Sequence, residues 1–209
     1  MVITDYKNDG WGISVLGFEK IYERLNEIDF SMFSKYNIIE FGSGTSTKFF
    51  VDYIQEKNLK NVFITSFEND TKYATKARHE QLDLKFRKLM TCSDTDYDEM
   101  FKKKGFNQNK MSYLISEPQA RQKNCFYDIE ENDIPNQVDF VLLDGPSGNG
   151  RNFAFLHLLG KLQKDSIVFI DDFNHYDFLE KFLLLHNGIE IVRNVEPNDR
   201  FVMLKVKNN

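Results

Sequence analysis

The chain has 209 residues, 41% of them apolar, with 20 Phe, a net charge of -5 and a pI of about 5.5. That composition supports a sizeable buried core and excludes a disordered chain, while the acidic balance without a long basic run disfavours nucleic acid as a partner. Cys92 and Cys125 are too far apart for a metal knuckle, no apolar run is long enough to span a membrane, and residues 1–10 are too polar for a signal peptide. A reduced, cytoplasmic protein forming a single domain over 1–209 is expected.

In chain order, Phe18, Ile21, Tyr22, Leu25 and Ile28 fall at helical spacing and predict a helix over 17–28, so residues 1–36 read as an N-terminal helical cap with Trp11 packed against it. Residues 38–41 then read as a buried strand that runs into Gly42-Ser43-Gly44. Thr45, Ser46 or Thr47 caps the next helix, whose apolar face is Phe49, Phe50, Tyr53 and Ile54. A strand, a glycine turn and a helix N-terminus offer backbone N–H groups to acceptor or anionic groups, which suits a nucleotide-like cofactor. A second strand over 62–67 ends at Glu68. Ligands of open α/β sheets bind beyond such strand ends, and an acid about 20 residues after the glycines can accept both ribose hydroxyls.

A helix over 70–77 and an alternating strand over 82–89 follow. Residues 91–137 lose the regular pattern, with a polar helix near 97–104 and strands near 111–115 and 125–129. A segment of that length shapes a substrate pocket or packs against a partner. A fourth strand over 138–143 ends in Asp144-Gly145-Pro146, and a helix over 152–162 leads to a fifth strand, 167–170, ending in Asp171-Asp172. The last helix, 176–186, stops at Gly188, and residues 189–195 and 201–206 close the chain as an antiparallel hairpin. That hairpin and the acid before the glycines argue against a dehydrogenase, whose sheet usually stays parallel.

Over residues 38–206 the sequence resembles class I S-adenosylmethionine-dependent methyltransferases. Glu40-Phe41-Gly42-Ser43-Gly44 matches the family's glycine motif, Glu68 its ribose-binding acid and Asp144 its acid after the fourth strand, while the frequent third glycine falls at Ser46. Ser93 and Asp94 stand where relatives hold the adenine. The resemblance implies an α/β fold, a Rossmann-like doubly wound sheet of seven strands in the order 3-2-1-4-5-7-6, strand 7 antiparallel, with helices on both faces. It implies S-adenosylmethionine held by Glu40, Gly42, Ser43, Gly44, Ser46, Glu68, Ser93, Asp94 and Asp144.

A narrower similarity is to the divalent-metal-dependent, catechol-type O-methyltransferases, which carry metal ligands where Asp144, Asp171 and Asp172 stand. Three carboxylates at adjacent strand ends repel unless a metal cation neutralises them, and hard oxygen ligands suit Mg²⁺, Ca²⁺ or Mn²⁺, with Mg²⁺ or Mn²⁺ the expected ion. His175, with Asp144 and Asp172, is a candidate catalytic residue and the candidate base because it lies just beyond these acids, and the sequence departs from those relatives in placing Ser147 where they carry a lysine three residues after the first acid. Arg151 is the candidate for an anionic group on the acceptor. The expected activity is methyl transfer to a hydroxyl of a small polar molecule, a sugar or nucleotide-linked sugar as in surface polysaccharide biosynthesis, by a chain that could form a homodimer. A non-catalytic S-adenosylmethionine-binding or regulatory subunit and an RNA methyltransferase are the alternatives.

Overall fold

The computed structural model describes residues 1–6, 12–102, 123–173, 178–186, 188–193 and 200–207. The helices are α1 (Val15–Asn26), α2 (Thr45–Glu56), α3 (Asp94–Lys102), α4 (Phe153–His157) and α5 (Phe178–Leu185). The strands are β1 (Tyr36–Phe41), β2 (Val62–Glu68), β3 (Leu82–Phe86), β4 (Leu89–Thr91), β5 (Cys125–Tyr127), β6 (Val138–Leu143), β7 (Leu162–Asp171), β8 (Ile189–Arg193) and β9 (Phe201–Val206). Seven of them form one sheet in the order β3-β2-β1-β6-β7-β9-β8, and β4 pairs with β5 in a separate antiparallel ribbon. With that ribbon set aside, the order is the expected 3-2-1-4-5-7-6. The pairs from β3 through β7 are parallel, and β9 runs antiparallel to both β7 and β8.

The central strands are apolar on both faces because each face is covered by helices. Along β1, Ile38 packs with Phe18, Phe49 and Phe50 on one side, and its neighbour Ile39 belongs to the opposite cluster with Tyr97, Phe101, Phe155 and Phe182. β6 repeats the alternation: Phe140 and Leu142 face the first cluster, Val141 and Leu143 the second. Ser14 caps α1 by accepting from Gly17 N at 3.1 Å.

Several predicted elements change on folding. The helix expected over 70–77 is a single turn: the Asp70 carbonyl accepts from Tyr73 and Ala74, then Thr75 N donates to Ser43 Oγ at 2.9 Å and draws the chain onto the glycine loop. The strand expected over 82–89 is broken after Phe86, because Arg87 N donates to the Glu68 carbonyl at 2.9 Å and its guanidinium grips the buried Asp133 carboxylate, turning the chain out of the sheet into β4. The helix expected over 152–162 is short; it stops before Gly160, at φ +73°, and β7 begins at Leu162. Trp11, the strand near 111–115 and the hairpin turn at 196–199 lie outside the described residues.

Candidate cofactor and acceptor site

Register builds one rim. Phe41 aligns with Phe67 of β2 and with Leu143 of β6, and Leu143 aligns with Ile170 of β7. The next residue on each of these strands is Gly42, Glu68, Asp144 and Asp171, so the parallel pairing brings them side by side at the carboxyl ends.

Gly42 has φ +100°, and a Cβ there would lie 2.8 Å from Gly145 N. Both the conformation and the contact require glycine. The approach is fixed by hydrogen bonds from Gly42 N to the Phe67 carbonyl, 3.0 Å, and from Gly145 N to the Phe41 carbonyl, 2.6 Å. Glu68 is 6% exposed and sits among backbone donors: Ser43 N at 3.2 Å on Oε2, and Asn69 N at 2.7 Å and Asp70 N at 2.9 Å on Oε1. Burial raises its pKa despite these donors.

Glu40 lies fully buried beneath the turn, where Thr47 and Ser66 both donate to Oε2. Thr47 Oγ1 also accepts from Gly44 N at 3.0 Å, so this acid is wired to the glycine loop through one hydroxyl. Its Oε1 has no hydrogen-bond partner, and burial pushes its pKa up to about 7 against the pull of the Ser46, Ser66 and Thr47 hydroxyls. Ser93 and Asp94 are exposed at the start of α3. Ser93 Oγ accepts from Asp96 N and donates to the Asp96 carboxylate, while Asp94 pairs with Lys123 at 2.6 Å and with Asn124 Nδ2 at 2.7 Å.

Asp144 and Asp171 face one another, Asp144 half-buried and Asp171 2% exposed. Desolvation raises both, and the neighbouring negative charges push Asp171 up to about 8, while a hydrogen bond from Asp171 favours the charge on Asp144. Asp171 therefore holds its proton to higher pH than an ordinary carboxylate. Asp172, at φ +52°, turns away to Arg200, whose Nε donates to Oδ1 at 2.7 Å and whose Nη2 donates to the same oxygen. Arg151 is 7% exposed. Its Nε donates to the Pro146 carbonyl at 2.6 Å and its Nη1 to the Asp171 carbonyl at 3.3 Å, and its guanidinium carbon lies 5.7 Å from the centre of the Phe178 ring.

This arrangement lends no support to the expected metal centre. Among the described residues, no three His, Cys, Asp or Glu side chains are grouped so as to hold a metal ion. The repulsion among the carboxylates, for which a cation is the expected remedy, is relieved by the guanidinium groups of Arg151 and Arg200 and by the proton on Asp171. Asp172 accepts from Arg200 through Oδ1 while its charge also acts on Asp144 and Asp171. Arg151 directs two of its donors to backbone carbonyls. His175 lies outside the described residues, and Ser147 is exposed. Sequence reasoning passes over Arg200, although the hairpin carries the signal: β9 pairs Phe201 with Asp171, which sets the preceding arginine beside Asp172. It also passes over Tyr127 of β5, whose ring packs on Phe41 and Phe67 and whose hydroxyl reaches Gly145.

No protein-family model matches the chain, and no curated protein matches it. Solved structures do. A protein described as a putative O-methyltransferase from Klebsiella pneumoniae superimposes with a TM-score of 0.51 at 10% identity, covering 98% of this chain and 86% of that one. The cofactor-bound Rv0187 from MTB gives a TM-score of 0.50 at 11% identity, covering 99% of this chain and 87% of that one. Identities this low speak to the fold alone. Taken with the strand order and the antiparallel β9, they establish that the chain has the class I S-adenosylmethionine-dependent methyltransferase fold.

Proposed function

We propose that the chain is an S-adenosylmethionine-dependent O-methyltransferase acting on a hydroxyl of a small polar acceptor, a sugar or nucleotide-linked sugar. The observation that carries this reading is the single row formed by Gly42, Glu68, Asp144 and Asp171 at the ends of four adjacent parallel strands. In strand order the row runs Glu68, Gly42, Asp144 and Asp171, so the cradle that a Cβ would fill at Gly42 lies between the strand-end acid Glu68 and the carboxylate pair. The residues fit the cofactor: the turn at 42–44 leaves backbone free for close approach, and Glu68 is a strand-end acid placed for the ribose hydroxyls.

S-adenosylmethionine, when bound, supplies a methyl group already activated on a positively charged sulfur. The protein's own work is then to hold two molecules in line and to handle one proton. Orientation of that kind is worth roughly 7 to 11 kcal/mol. Asp144 stands at the acceptor end of the row and, in its ionised form, accepts the acceptor hydroxyl's proton. Asp171 keeps its proton and fixes Asp144 from behind, and Arg151 and Arg200 hold the cluster's charge near balance. General-base assistance of this sort contributes about 10²–10⁴-fold. Metal assistance is not carried into the proposal: Asp172 accepts from Arg200, and among the described residues no three His, Cys, Asp or Glu side chains are grouped to hold an ion. The description of the Klebsiella neighbour as an O-methyltransferase agrees with oxygen as the accepting atom.

The test is transfer of labelled methyl from S-adenosylmethionine to a panel of sugars, nucleotide sugars and catechols, with and without a strong chelator. The expected result is transfer to a polar hydroxylated acceptor that survives complete metal removal. Cofactor binding without transfer to any acceptor would instead support a non-catalytic binding protein.

A further inference from the structure

The expected site residues leave one buried polar side chain at the rim unused. Tyr127, at the end of β5, is 3% exposed, and its ring stacks on Phe41 at 6.5 Å and packs against Phe67 at 6.1 Å and Phe126 at 5.3 Å. Its strand is bolted to the loop after β6. Gly150 packs so tightly on β5 that a Cβ would lie 1.7 Å from the Cys125 carbonyl oxygen, and Asn149 pairs with Asn124 through two hydrogen bonds of 2.8 and 2.7 Å. The hydroxyl is thereby held against Gly145, where a Cβ would lie 2.7 Å from it and 2.8 Å from Gly42 Cα.

The Tyr127 ring packs on Phe41 and Phe67, the residues that precede Gly42 and Glu68 at the strand ends, so the hydroxyl is held at the glycine turn on the same rim. Among the described residues it has no hydrogen-bond partner, and it is not sealed away as Glu40 Oε1 and Asp171 Oδ2 are. A hydroxyl on an otherwise buried ring, rigidly presented and with no partner among the described residues, is available to a ligand.

We propose that Tyr127 is a cofactor-binding residue whose hydroxyl hydrogen-bonds a ribose hydroxyl of S-adenosylmethionine beside Glu68. This deepens the methyltransferase reading and rests on it. The segment between β3 and β6 thereby acquires a definite role, in which the β4–β5 ribbon delivers one polar atom over the Gly42–Gly145 contact, at the point where the cofactor's sugar passes from Glu68 toward the reacting end. The aromatic packing fixes that atom before the ligand arrives, so little side-chain freedom is lost on binding.

Calorimetric titration of the intact chain and of Y127F with S-adenosylmethionine and S-adenosylhomocysteine, together with thermal unfolding of both proteins without ligand, tests this. Y127F should bind both ligands about 10-fold more weakly, while the ligand-free protein unfolds at the same or a higher temperature, because the lost hydroxyl has no partner among the described residues. One of the two deoxyribose analogues of S-adenosylhomocysteine, 2′ or 3′, should bind the two proteins equally. Equal affinity of both proteins for S-adenosylmethionine would overturn the assignment, and so would a lowered unfolding temperature in Y127F, which would mark a structural hydroxyl. If the unaltered chain binds neither ligand, the methyltransferase reading fails and the assignment falls with it.

Discussion

The two ends of the rim solve the same electrostatic problem by different means. At the β1–β2 end, Glu68 is buried among three backbone N–H groups and Glu40 between two hydroxyls, so each carboxylate is met by fixed dipoles. At the β6–β7 end, Asp144, Asp171 and Asp172 are met by one another's proton and by two guanidinium groups. Fixed dipoles suit binding, because they do not change when a ligand arrives. A cluster balanced by protons and counter-charges suits chemistry, because its protonation state can move. The division of labour between cofactor end and acceptor end follows from that difference.

Breaking the acceptor end has the largest expected effect. Asp144→Asn should lower kcat by about 10³-fold while leaving S-adenosylmethionine affinity within about threefold, measured by turnover and calorimetry. Loss of affinity to the same degree would merge the two ends into one. Next is the glycine contact. Gly42→Ala forces a Cβ to 2.8 Å from Gly145 N at φ +100°, so it should cost about 2–4 kcal/mol of stability by denaturant unfolding and abolish cofactor binding. Glu68→Gln cannot accept all three backbone donors with both oxygens, and should weaken cofactor affinity about 10–100-fold with little change in the pH profile.

Smaller effects separate the ends by pH. Arg200 holds the pKa values of Asp144 and Asp171 down, so Arg200→Ala should move the acid limb of the kcat/KM profile to higher pH, and an unmoved limb would detach Arg200 from the acid pair. The Asp171 pKa is raised on folding from 3.8 to about 8, so the unfolded chain binds fewer protons than the folded one between those values. Stability is then fully present below pH 4 and is lost as pH rises through about 8, as far as this group is concerned. Asp171→Asn removes that loss, so its unfolding temperature should exceed that of the unaltered protein at pH 9 by more than at pH 5. With about 2–4 °C per kcal/mol for a chain of this size, the difference is measurable by calorimetry.

Much of this was legible in the sequence because it depends on local pattern. Strands buried on both faces read as apolar runs, the terminal hairpin announced itself by two strands about a turn, and Gly42, Glu68, Asp144 and Asp171 each followed the last apolar residue of a strand. Parallel register then had only one way to line them up. The helix expected over 70–77 failed because Ser43 Oγ captures Thr75 N, a bond between residues far apart in the chain. The single strand expected over 82–89 failed because Arg87 is claimed by Glu68 and Asp133, which no spacing rule foresees.

The amino-acid sequence by itself determined which acids stand at the strand ends, since apolar periodicity and turn residues are properties of neighbours along the chain. Only the tertiary structure decided what neutralises those acids. Arg200 arrives beside Asp172 through the antiparallel pairing of β9 with β7, and Tyr127 arrives over Gly145 through a ribbon that leaves the main sheet. Counter-charge and close contact depend on distance in space, and that distance is set only after every strand has found its partner.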